Sequence, residues 1–190
     1  MQMMVDIEAL GTSHNGLITQ IGACYFDWDG NIAATFLVNI NLKSAVARGM
    51  EMDIRAVCFW LEQAAQQGLP SWLKETVPLA KGLNDFYKFE KEAEAIWSHA
   101  FDKVLLGEAG LLCGIPKLVP HKKWRDIATL VNLSGRVKKD LVTVAKKTHN
   151  ALEDCFYQVE YCTKCYRSLK GITYGRVDKS LKKVAYGRVK

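Results

Sequence analysis

Asp6 and Glu8 are separated by a single residue in the opening stretch MQMMVDIEAL. Side chains alternate across a strand, so a strand here sends both carboxylates to one face and Ile7 to the other. Two like charges side by side are costly unless a cation neutralises them, and an oxygen-rich pair suits a hard divalent ion such as Mg²⁺ or Mn²⁺. A lone D-x-E is common, and the polar face of an edge strand would read the same way. Near the other end, His149 precedes Asn150, and Asp154 falls in the first turns of the helix that Asn150 opens. That puts a rigid carboxylate on a helix and an imidazole on the loop beside it, suited to taking a proton from water near neutral pH. Between these ends, Trp97-Ser98-His99-Ala100-Phe101-Asp102 places another acid where a short strand hands over to a helix, a position that the helix macrodipole alone also favours.

These residues need elements to hold them. Residues 3–8, 17–26 and 35–40 read as three strands of an antiparallel meander, divided by the turn signals Gly11 to Gly16 and Asp27-Trp28-Asp29-Gly30. The period then changes. Ile54, Val57, Cys58 and Leu61 fall at i, i+3, i+4 and i+7 behind Asp53, which predicts a capped helix with that stripe inward. Helices follow at residues 79–90 and 102–112, with a short strand at 95–97 between them. A strand at 124–126 leads into a helix at 127–133, and Asn150 with Glu153 forms a capping-box signature ahead of a long helix over 151–169. Three consecutive strands and then alternating helices and strands predict an α/β fold, a ribonuclease-H-like mixed sheet of meander plus parallel strands with helices on both faces.

Composition narrows the function classes. The 190 residues carry a formal net charge of +6, and seven of the 26 basic residues lie in 170–190 against the single acid Asp178, which leaves the rest of the chain neutral. The reading is a domain over 1–169 and a basic tail over 170–190, the tail serving either polyanion attraction or solubility. The tail also repeats Tyr-Gly-Arg-Val at 174–177 and 186–189. No apolar run approaches the roughly 20 residues that cross a bilayer, which excludes a membrane protein, and the start of the chain has no signal-peptide pattern, so a cytoplasmic protein is expected. The six cysteines are too few for a disulfide scaffold, and Cys162-x-x-Cys165 lacks a second ligand pair, so it reads as one turn of a packed helix. Asp126 reads as a helix cap or an Arg125 partner and stays outside the site.

In their order and local contexts, Asp6, Glu8, Asp102, His149 and Asp154 resemble the DEDDh group of 3′-5′ exonucleases, which includes ribonuclease T, oligoribonuclease and the proofreading subunits of DNA polymerases. The resemblance runs from residue 4 to about 168 and rests on DIEALG, the Phe101-Asp102 pair and HNALED, which fits the group's H-x4-D. It is closest to a compact phage and bacterial exoribonuclease-like branch, through Phe59-Trp60-Leu61 and Arg125-Asp126. It departs in having Ala9 where the group often has Thr, and Ser98-His99-Ala100 before Phe101-Asp102 in place of a Gly-Ala-x run. The resemblance implies a metal-dependent 3′-5′ exonuclease that releases nucleoside 5′-monophosphates from single-stranded RNA or DNA, or from 3′ overhangs. It further implies two Mg²⁺ (or Mn²⁺) ions about 4 Å apart held by Asp6, Glu8, Asp102 and Asp154, with His149 as general base. By the same pattern Leu10, Gly11, Trp60 and Phe101 would contact the substrate, with Leu10 as an apolar wedge and an aromatic of the Phe59-Trp60 pair stacking a base. A phage-encoded protein would act in the host cytoplasm, and a homodimer is compatible with the sequence. The rivals are a ribonuclease-H-type endonuclease, against which the H-x4-D pair argues, and a nucleic-acid-binding module with a vestigial acidic pocket, against which the intact acids argue.

Overall fold

The computed structural model describes residues 1–115, 121–136, 141 and 149–174. The meander forms as expected, from β1 (Gln2–Ala9), β2 (Ile18–Phe26) and β3 (Ile32–Ile40), all antiparallel. Three short strands extend it: β4 (Thr76–Val77) parallel to β3, β5 (Ala95–Ser98) parallel to β1, and β6 (Trp124–Asp126) parallel to β5. The six-stranded order is β4-β3-β2-β1-β5-β6, the mixed ribonuclease-H-like α/β sheet that the pattern predicts. The helices are α1 (Leu42–Val46), α2 (Ile54–Gln67), α3 (Leu79–Phe89), α4 (Ala100–Leu112), α5 (Ile127–Ser134) and α6 (Ala151–Tyr174). Helix α6 runs past residue 169, so Lys170 and Gly171 continue the helix. The Tyr-Gly-Arg-Val echo beyond Tyr174 and the tail cations from Arg176 onward lie outside the described residues.

One helix has the right period and the wrong phase. Of the expected inward stripe on α2, only Val57 packs against the core, half-buried; Ile54 is 74% exposed, Leu61 is 64% exposed and Cys58 is exposed, whereas Trp60 is buried. The helix is anchored by its indole, whose Nε1–H donates to the Ala9 carbonyl at 3.1 Å while the ring meets Trp72 edge-on at 5.3 Å. Hydrophobicity alone marks Ile54 and Leu61 as strongly as Trp60, so tertiary contacts decide the phase. The start of α2 matches the expectation. Asp53 caps it by accepting the Ala56 N–H at 2.9 Å and ties it to the β1–β2 loop through the Thr12 hydroxyl at 2.6 Å. These bonds, the Thr12 hydroxyl foremost, hold the Asp53 carboxyl down to about 2.

The sheet separates two apolar clusters. Met3, Val5 and Ile7 of β1 join Ile21, Ala23 and Tyr25 of β2 on one face, covered by α1, α2, α3 and α4. Met4, Cys24 and Phe26 face the other way, against α5 and α6. Asp6 and Glu8 share the parity of Met4, so alternation turns them toward the α6 side. Because β5 runs parallel to β1, the carboxyl ends of both strands open on the same edge, where ligand crevices form in open α/β sheets.

Candidate active site

The site is assembled where α6 begins. Asp6 pairs in register with Gly22 of β2 and Glu8 with Gln20, and the ladder is irregular between Glu8 and Ala9. Irregularities of this kind re-aim side chains beside active sites. A Cβ on Gly22 would lie 2.3 Å from the Ala151 carbonyl carbon, so only glycine lets the first turn of α6 sit directly on the strand. Gln20, fully buried, fastens that turn by accepting the Ala151 N–H at 2.7 Å through Oε1 while its Nε2 donates to Asn39 at 2.7 Å. Asn150 caps the helix, accepting from Leu152 at 3.1 Å and Glu153 at 3.2 Å.

That anchoring delivers the H-x4-D pair onto the D-x-E strand. Ligand atoms of Glu8, His149 and Asp154 lie within 4.8 Å of one another. Asp6 and Asp154 are 5% and 1% exposed, and Asp102, in the first turn of α4, is 7% exposed and accepts the His99 N–H at 3.1 Å. Asp6 accepts a hydrogen bond from the Gln158 amide on α6. Burial first, then the Cys162 thiol and the charge of Asp6, push the Tyr161 phenol up. Of the five chemistry-bearing residues singled out from the sequence, Glu8, His149 and Asp154 therefore come together, Asp6 shares the face of β1 that bears Glu8, and Asp102 is buried in the first turn of α4. The Gln158 amide and the His99 N–H are neutral donors that satisfy hydrogen bonds without cancelling charge. Buried carboxylates of this density are costly without a cation, and carboxylate oxygens are the donors that fit a hard divalent ion, with the imidazole beside them placed to accept a proton.

His149 sits at φ +54°, in the left-handed region that His tolerates better than most residues. Its ring is met edge-on by Phe59 at 5.0 Å and Trp60 at 6.0 Å. Trp60 is 6% exposed and bonded to Ala9, so it backs the imidazole, and it also borders the two pockets of this region. Phe59, 37% exposed, lines a pocket of about 440 Å³ with Glu8, Gly11, Thr12 and Arg55. Leu10, read from the resemblance as a substrate wedge, is 5% exposed and packs in the apolar core. Gly11 is buried, and its lack of a side chain is required by the chain itself: a Cβ would stand 2.5 Å from the Glu51 carbonyl. Phe101 is 39% exposed beside Asp102. A second pocket, about 230 Å³, opens beyond Trp60 and is bordered by Gln63, Gln67, Ser71, His149 and Glu153. Asp126 caps α5, accepting the Thr129 N–H at 2.8 Å. Cys162 and Cys165 pack in the α6 core, and burial pushes the Cys162 thiol up.

Four residues escaped the sequence reading. Gly22, isolated in an apolar strand, carried a legible signal of close backbone approach. Gln158 stands one turn after Asp154 on the same helix face, a spacing that could have been read. Arg55 puts a cation in the first turn of α2, where the macrodipole disfavours it, and such local violations mark functional positions. Gln20 carried no signal.

The model of one family, the 3′-5′ exoribonuclease Rv2179c-like domain, matches residues 1–166. No curated protein matches the chain. With Glu8 of β1 and Asp154 of α6 gathered at His149 in a ribonuclease-H-like sheet, and with the family match covering nearly all of the described residues, the chain belongs to the Rv2179c-like 3′-5′ exoribonuclease domain family and is a nuclease of the hydrolase class.

Proposed function

We propose that the protein is a divalent-cation-dependent 3′-5′ exonuclease that shortens single-stranded RNA, or a 3′ overhang, by one nucleoside 5′-monophosphate at a time, with single-stranded DNA as the alternative substrate. The observation that carries this reading is the convergence of Glu8, His149 and Asp154 within 4.8 Å on the face that also bears Asp6. Asp6, Glu8 and Asp154, with Asp102 from α4, are the residues to hold two Mg²⁺ or Mn²⁺ ions, which when bound supply charge neutralisation at the scissile phosphate and a more acidic water. The chain's own part is proton transfer and placement. His149 takes the proton of the attacking water as its oxygen bonds to phosphorus and the bond to the preceding 3′ oxygen breaks. The aromatic wall of Phe59 and Trp60 limits the imidazole's movement, so the base need not be ordered at each turnover.

In this reading the terminal nucleotide occupies the pocket beside Glu8, with its base on the exposed ring of Phe59 and a phosphate against Arg55. Substrate capture adds the basic tail over 170–190, whose cations would release counterions from a longer strand. No described helix is long and apolar enough to cross a membrane. The test is digestion of 5′-labelled RNA and DNA, each with a free or a blocked 3′ end, in Mg²⁺, Mn²⁺ or EDTA. Stepwise shortening of free ends alone, lost in EDTA, is expected. Internal cuts in the blocked strand would support the endonuclease instead.

A further inference from the structure

Gln158 is a buried amide to which the reaction scheme gives no part. It is 0% exposed, one turn after Asp154 on α6, and its Nε2 donates to Oδ1 of Asp6. Its Oε1 is buried with no hydrogen-bond partner. The carboxylate accepts only, so the amide must turn its NH₂ toward Asp6; the opposite flip would set two acceptors against each other. That orientation leaves Oε1 unsatisfied, which is destabilising, whereas a leucine would fill similar space without stranding a polar atom. Stability therefore does not account for an amide here.

The chemistry of Asp6 does. A lysine or arginine would hold the carboxylate more strongly, but would cancel the charge that attracts a cation. A neutral donor fixes the carboxylate's orientation and leaves its net charge intact. We propose that Gln158 is a positioning residue that locks the Asp6 carboxylate in the orientation required by a divalent cation shared with Glu8 and Asp154. The inference rests on the cation-dependent reading above.

The test measures Mn²⁺ affinity by electron paramagnetic resonance on the full chain, with the metal-free Tm measured in parallel, for wild type, Gln158→Leu, Gln158→Met and Asp6→Asn. Partners of metal ligands typically change affinity by ~10- to 100-fold when lost. Both Gln158 variants should weaken Mn²⁺ binding by about that factor while the metal-free Tm holds or rises, and kcat should recover at saturating Mn²⁺. Wild-type affinity in the Gln158 variants, with binding lost in Asp6→Asn, overturns the positioning role and leaves the cation site standing. Affinity and Tm falling together in both variants overturns it too, because Gln158 would then act through packing. Undiminished binding in Asp6→Asn overturns the cation-site reading itself.

Discussion

The two faces of β1 are made by one octapeptide and behave as different materials. On one, Met3, Val5 and Ile7 sink into a continuous apolar cluster under four helices. On the other, only Met4 is apolar, and Asp6 and Glu8 stand where a folding sequence would place more of the same. Helix α6 shows the same division along its length: Cys162 and Cys165 pack it by apolar contact, whereas its first turns are fastened by the Gln20 hydrogen bond, the Gly22 gap and the Asn150 cap. Where apolar packing is given up for charge, specific bonds and a close backbone approach replace it. Period-two alternation thus lets a single strand carry stability on one side and chemistry on the other.

The largest effects should separate the faces. Asp6→Asn or Asp154→Asn should take nuclease activity below detection on labelled RNA, while stability holds or rises because each relieves a repulsive cluster. Met3→Ala, on the opposite face, should cost about 2–5 kcal/mol in denaturant unfolding and leave the folded fraction active. A Met3→Ala protein that is stable but inactive would break the comparison. Next in size, His149→Ala should lower kcat by ~10²- to 10⁴-fold with Mn²⁺ affinity retained, the signature of a lost base rather than a lost ligand.

The neighbouring aromatics sharpen the same contrast. Phe59→Ala should weaken oligonucleotide binding by about 1–3 kcal/mol, read as a higher KM, with little change in Tm. Trp60→Ala should instead cost about 3–5 kcal/mol of stability and lower kcat, since the wall behind His149 goes with it. A higher KM without a stability loss in Trp60→Ala would reverse the two roles. Smaller again, Arg55→Ala should reduce the slope of log binding constant against log salt by about one contact. The smallest effect concerns the clasp that Asp53 makes with Thr12 and α2. Its carboxyl is held at about 2 against an ordinary value of 3.8, so its contribution is fully present above the higher value and is lost as pH falls through the lower. The Tm difference between wild type and Asp53→Ala should therefore shrink over that window.

Much of this arrangement was legible in the sequence because it is written in local periods. The D-x-E parity on β1, the Asn150 cap and the H-x4-D spacing need only strand and helix geometry, and the meander follows from turn residues between apolar runs. What stayed hidden depends on contacts across the fold. The phase of α2 is set by the Trp60 bonds to Ala9 and Trp72 rather than by its hydrophobic pattern, and β4 is too short at two residues to leave a period. Leu10 reads as a wedge only if its strand end is exposed, and the core takes it instead. The pairing of Gln158 with Asp6 joins residues 152 positions apart. No spacing rule reaches across that distance.

The central claim is that the acidic face of β1 and the start of α6 give up stability to hold a cation. The most direct measurement is thermal unfolding of wild type, Asp6→Asn and Asp154→Asn, each with EDTA and with Mn²⁺. An ion that binds only the folded state adds about 2.7 kcal/mol at a concentration 100 times its Kd. The account predicts that in EDTA both variants melt at or above the wild type, and that Mn²⁺ raises the Tm of the wild type alone. An equal rise in all three proteins, or variants that melt well below the wild type in EDTA, would contradict it.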